Sequence, residues 1–118
     1  MANPNIVNVS DIRGKTSVLA VLTTPTAIVE NPVSSDKVLK INTLIVSNID
    51  EADQDITVEV FRSSTAYSLA FAVVIPANAT LVVISKDTGI YLEEGDSLRL
   101  EGSDTAVLDA ICSYEEIS

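Results

Sequence analysis

The chain has no histidine and no tryptophan, and it holds a single cysteine and four glycines in 118 residues. Each shortage closes off a class of chemistry. Without histidine there is no Ser–His or Cys–His pair to activate a nucleophile, and none of the abundant serines has an obvious alternative base. The lone Cys112 forbids an intrachain disulfide, so folding does not depend on an oxidising compartment. It sits in the apolar run 106–114, where it reads as a small buried hydrophobe. Gly14, Gly89, Gly95 and Gly102 stand apart from one another, so no glycine-rich loop cradles phosphate.

Basic residues are also scarce, seven against seventeen acids, for a net charge of −10. They are Arg13, Lys15, Lys37, Lys40, Arg62, Lys86 and Arg99, scattered singly among acids. Holding a phosphate backbone needs clustered Lys and Arg that displace counterions, so neither nucleic acid nor an anionic membrane is expected as a partner. Uninterrupted apolar stretches such as 69–75 fall far short of a membrane span. Residues 1–5 lack the basic and apolar regions of a signal peptide, which predicts synthesis in a cytoplasm. On that reading the glycosylation patterns at Asn8 and Asn78 are coincidental.

What the chain does have is aliphatic side chains. Hydrophobic residues make up 47% and aromatics only 4%, so Val, Ile, Leu and Ala must fill the interior. β-Branched residues suit a pleated, half-buried surface better than a helix. Residues 17–23 read as a buried strand ended by Thr24-Pro25, with Arg13-Gly14-Lys15 as a turn before it. A short strand at 27–29 follows, then a long one at 38–47 with Leu39, Ile41 and Ile45 on one face and Val38, Leu44 and Val46 on the other. Ile56, Val58 and Val60 alternate inward along 56–62. Along 67–75, Leu69, Phe71, Val73 and Ile75 are expected to face one way and Ala70 and Ala72 the other. Strands at 81–84, 90–92, 97–101 and 106–114 complete the set, with Gly95 supplying a positive φ in the turn 93–96. One helical turn is allowed between 76 and 84.

About eight short strands at this spacing predict an all-β fold, a single antiparallel β-sandwich of jelly-roll or immunoglobulin-like order. Residues 16–118 are expected to form the sandwich and residues 1–15 an extended N-terminal arm, anchored by Ile6, Val7 and Val9.

Two acidic clusters are the candidates for chemistry. The loop 50–55 has carboxylates of the kind Ca²⁺ takes, but it lacks the glycine and the distal glutamate of an EF-hand, and a solvated loop is the simpler reading. Glu93, Glu94 and Asp96 offer acid and base for glycoside hydrolysis, yet that reaction needs an aromatic-lined groove, and the five aromatics are dispersed. Tyr91, beside the acidic turn, is the one aromatic placed to stack on a ligand, against the simpler reading of a tyrosine capping the core. No enzyme, cofactor or metal site is therefore expected. What remains is apolar area in surplus of one small core, which predicts a protein interface through Phe61, Ala70 and Ala72 together with the arm residues Ile6, Val7 and Val9.

The C-terminal stretch Ile90-Tyr91-Leu92-Glu93-Glu94-Gly95-Asp96-Ser97-Leu98-Arg99-Leu100, followed by a turn and a strand ending Tyr114-Glu115-Glu116-Ile117-Ser118, resembles small virion structural proteins of tailed bacteriophages, notably those of cyanobacterial phages. Pro76-Ala77-Asn78 before a valine-rich strand, and Val46-Ser47-Asn48 before a polar loop, fit the same pattern, so the resemblance spans roughly 16–118. It implies a β-sandwich in the particle, either a capsid decoration (cement) protein or a tail, neck or baseplate component. A carbohydrate- or calcium-binding module is a further alternative, because such sandwiches use similar turns. The decoration reading implies a homotrimer on the surface of the virion, made in the host cytoplasm, whose partners are sister copies and the major capsid protein or another virion protein. Its arm would lie across neighbouring capsid subunits.

Overall fold

Runs of alternating apolar residues, punctuated by turn chemistry, fold into nine strands: β1 Ile12–Ala20, β2 Thr26–Glu30, β3 Val38–Asn48, β4 Gln54–Arg62, β5 Thr65–Ile75, β6 Thr80–Ile84, β7 Ile90–Leu92, β8 Ser97–Gly102 and β9 Leu108–Ile117. The computed structural model describes residues 11–118, so Ile6, Val7 and Val9 lie outside the described part. The helical turn is a 3-10 turn at Lys86–Thr88, a few residues beyond the stretch where the sequence allowed one.

Two antiparallel sheets pack face to face. One runs β1-β9-β3-β6, with β7 also paired to β3, and the other runs β2-β8-β4-β5. Set β7 aside, and the chain pairs as one long hairpin wrapped on itself: β4 with β5, β3 with β6, β2 with β8, β1 with β9. That is the jelly-roll order, which the sequence had left open against the immunoglobulin-like one. The hairpin tip is Ser63-Ser64, both at positive φ (52° and 62°), a left-handed two-residue turn that matches strand twist.

The inner faces meet in one aliphatic core that includes Leu44, Val46, Ile56, Val58, Leu98 and Leu100, all fully buried. Each such side chain contributes roughly 1.5–3 kcal/mol of burial free energy. Two buried asparagines close the ends of the sandwich. Asn31 Nδ2 donates to the carbonyls of Lys37 and Leu92, and its Oδ1 accepts from Ser35 Oγ. Asn48 Nδ2 donates to the carbonyls of Ala52 and Ile75, and its Oδ1 accepts from the Asp50 amide.

Several local expectations are corrected, most of them by bulges. In β3, Ile41 and Thr43 pair with the adjacent residues Tyr114 and Ser113, so Asn42 is an extra residue. The bulge shifts the side-chain phase: Leu39, Ile41, Leu44 and Val46 join the core, while Ile45 turns outward. In β5, Val58 pairs with Ala70 and Ile56 with Val73, so Thr57 faces both Phe71 and Ala72, and a second irregularity sits at Leu69. Ala70, Val73 and Ile75 therefore point inward, and Leu69 and Phe71 are left exposed. Ala72 holds the bulge at φ 48°, its amide donating to Thr57 Oγ1.

The stretch 17–23 is not a buried strand: β1 is an edge strand, largely exposed, with Val18 71% accessible. Arg13, Gly14 and Lys15, expected to form a turn, continue β1 and pair with Glu116, Glu115 and Tyr114. The sandwich thus begins at Ile12, and residues 12–15 belong to it instead of to the arm.

Candidate interaction surface

The register of the first sheet places four β-branched side chains in one row across its outer face. Val18 pairs with Ile111, Ile111 with Ile45, and Ile45 with Val82. Their neighbours along each strand point into the core, which turns this row toward solvent. Val18, Val82 and Ile111 are 71%, 56% and 46% accessible, and Ile45 is half-buried. Thr16, Ser113 and Thr43 border it on one side, and Ala20, Asp109, Ser47 and Thr80 on the other.

A second apolar surface lies along one flank. β5 ends one sheet and packs beside β6, which ends the other, while β7 pairs with the same edge of β3 as β6. Tyr67, Leu69, Phe71 and Val74 are exposed here, Phe71 at 77%. A cleft of about 360 Å³ opens between the sheets, lined by Val60, Arg62, Tyr67, Ile90 and Tyr91. Tyr67 and Tyr91, distant in sequence, are thus brought together.

The expected interface residues are distributed differently. Ala72 is exposed on the flank, whereas Ala70 packs against the core. Phe61 is half-buried under the Arg99 guanidinium, 3.8 Å from its ring centroid, and Arg99 in turn donates to Glu59.

The acidic turn is a brace. Arg62 Nε and Nη2 donate to the two oxygens of buried Asp96, and Nη2 also reaches Glu93 Oε2. Hydrogen bonding to Asp96 raises the guanidinium pKa further above its already high value. Asp96 Oδ2 also accepts from the Glu93 amide, and Gly95 supplies φ 87°, so the turn is cross-tied to the end of β4. A cavity of about 490 Å³ lies over it, but its cation, Arg62, is already paired.

The loop 50–55 is likewise committed to its own geometry. Asp50 accepts from the Glu51 amide and from Gln54 Nε2, and Asp53 accepts from the Ala77 amide. Among the described residues no group of three metal-capable side chains comes together. Cys112 is buried in the core, and desolvation pushes its thiol up to about 12, so it is not poised as a nucleophile.

The outer-face row was missed because it exists only once four strands are in register. No protein-family model matches the chain, and a comparison with curated proteins finds no match.

Proposed function

We propose that the chain is a non-enzymatic virion structural protein, a capsid decoration protein that stabilises a phage head through contacts with capsid subunits and with sister copies. The observation that carries this reading is the row Val18–Ile111–Ile45–Val82, an apolar strip across the outer face of the first sheet. Monomeric proteins seldom leave such contiguous apolar surface in water. The jelly-roll order is common among viral capsid domains, and also among lectins and cupins, so it supports the reading by analogy alone. The resemblance of residues 16–118 to phage virion proteins points the same way. A carbohydrate module is less well supported, because the Tyr67–Tyr91 cleft has one charged side chain, Arg62, already held by Asp96 and Glu93.

Co-sedimentation with assembled heads of the phage encoding the protein tests the proposal. The protein is expected to pellet with heads and not to bind unassembled capsid subunits. The double variant Val18→Glu/Ile111→Glu is expected to lose at least about tenfold in affinity, roughly 1.4 kcal/mol. No binding to heads, or equal binding by the variant, would overturn it.

A further inference from the structure

An edge strand offers its unpaired N–H and C=O groups to any extended chain unless something blunts it. Three of the edge strands here are blunted. β2 and β6 are five residues long, and each is interrupted by a register shift, at Ile28 and at Val83. β5 is longer but its ladder is broken twice. β1 has neither remedy: it runs nine residues and pairs with β9 without a register shift. Its two bases do not guard it, because Arg13 is ion-paired with Asp11 and Lys15 with Glu116. The ladder also fixes which backbone groups are open. Asp11 and Ser118 exchange both backbone hydrogen bonds, and the Val21 amide donates to Leu108. Antiparallel pairs alternate between bonded and non-bonded, so Arg13, Lys15, Ser17 and Leu19 turn their backbone groups to β9. Ile12, Gly14, Thr16, Val18 and Ala20 turn theirs to the open side, and all five residues are exposed.

We propose that this edge pairs, antiparallel and about a two-fold axis through Thr16, with β1 of a second copy of the chain. The proposal rests on the assembly reading and names the contact between copies. What points to a second copy is that the strand is complementary to itself, as a two-fold contact requires. In this register all five open residues pair: Thr16 with the partner's Thr16, Gly14 with the partner's Val18, and Ile12 with the partner's Ala20. Val18, 71% accessible, then lies beside a glycine with open space where a side chain would be. Lys15 falls opposite the partner's Ser17, and Arg13 opposite the partner's Leu19, so no like charges face each other directly. Sliding the copies by two residues pairs only four of the five, and in one direction it sets Lys15 against the partner's Lys15.

The pairing makes about ten backbone hydrogen bonds, as many as a typical interface holds. It also closes the one regular edge on each copy, so the assembly stops at two instead of growing. The axis is normal to the sheet, so the first sheets of the two copies merge and both apolar rows face the same side. Val18 and the partner's Val18 stand four residues apart along the joined strands, about 13 Å at ~3.3 Å per residue. One shell surface can therefore meet both rows at once, and two linked contacts hold more tightly than one.

Sedimentation equilibrium of the full chain and of Thr16→Pro, with mild oxidation of Thr16→Cys, tests the proposal. The Thr16 amide faces the open side, so proline there removes no hydrogen bond to β9, and circular dichroism checks that the fold is kept. Thr16→Pro is expected to raise the self-dissociation constant at least about tenfold. Thr16→Cys is expected to give a covalent dimer, because directly paired residues lie about 5.5 Å apart between Cα atoms, within disulfide reach. The wild-type chain, whose Cys112 is buried, is expected to give none. A wild-type chain that stays monomeric, a folded Thr16→Pro that associates as before, or a Thr16→Cys that fails to cross-link would each overturn the proposal. So would association that is lost on deleting residues 1–10 but untouched by Thr16→Pro. Monomeric wild-type protein that still pellets with heads would overturn this pairing and leave the assembly reading standing.

Discussion

At the scale of single residues, a few buried polar side chains tie the ends of the sandwich that the aliphatic core holds together. Asn48 ends β3 and spends both halves of its amide on the loop 49–53 and on the end of β5. Replacing it with alanine leaves buried backbone carbonyls without a donor. Each unsatisfied group costs ~1–3 kcal/mol, so Asn48→Ala is expected to destabilise the protein by about 2–3 kcal/mol in urea unfolding. A loss below about 0.5 kcal/mol would show that water replaces the amide. Asparagine beside turn residues reads in sequence as an ordinary strand end. One of its partners, the Ile75 carbonyl, comes from a segment far along the chain, and nothing local announces that tie. Gly95 is the contrary case: its position in the turn 93–96 announced the positive φ that the structure shows.

At the scale of strands, the alternation of Ile56, Val58 and Val60 was legible because β4 is regular on its inward side. Where a strand bulges, alternation fails midway. The phases of β3 and β5 were misread for that one reason, and the exposed set on β5 became Leu69 and Phe71 in place of Ala70. β1 was misread for a different reason: its apolar residues sit at an edge, where no second layer covers Val18.

Strand ties are also polar. Glu116 on β9 accepts from Lys15 on β1 and from Lys37 in the loop before β3. The hydrogen bond from Lys37, then that from Lys15, holds its carboxyl below the ordinary range. A carboxylate whose pKa is lowered by folding adds stability that is fully present above its unfolded pKa and is lost as pH falls through the folded one. Glu116→Gln is therefore expected to cost about 1 kcal/mol or less at pH 7, given the exposure of both lysines, and to leave the variant less sensitive to acid than the parent. Denaturation midpoints at pH 7 and pH 3 check this, and an undiminished acid response in the variant would contradict it.

At the scale of the whole molecule, the class of fold was visible in composition and turn spacing, and the strand order was not, because the jelly-roll order depends on pairings that span most of the chain. On the proposed reading, an acidic net charge keeps separate molecules apart in solution, and the apolar row Val18–Ile111–Ile45–Val82 is where a partner meets them. On this account contact is the activity, and the fold is a rigid support for it.

The most direct measurement is the mass of the purified wild-type chain by light scattering at about 100 µM, where even a weak homotypic contact is populated. The account predicts an average mass well above 12.5 kDa that falls toward 12.5 kDa on dilution. A constant 12.5 kDa at every concentration would contradict it.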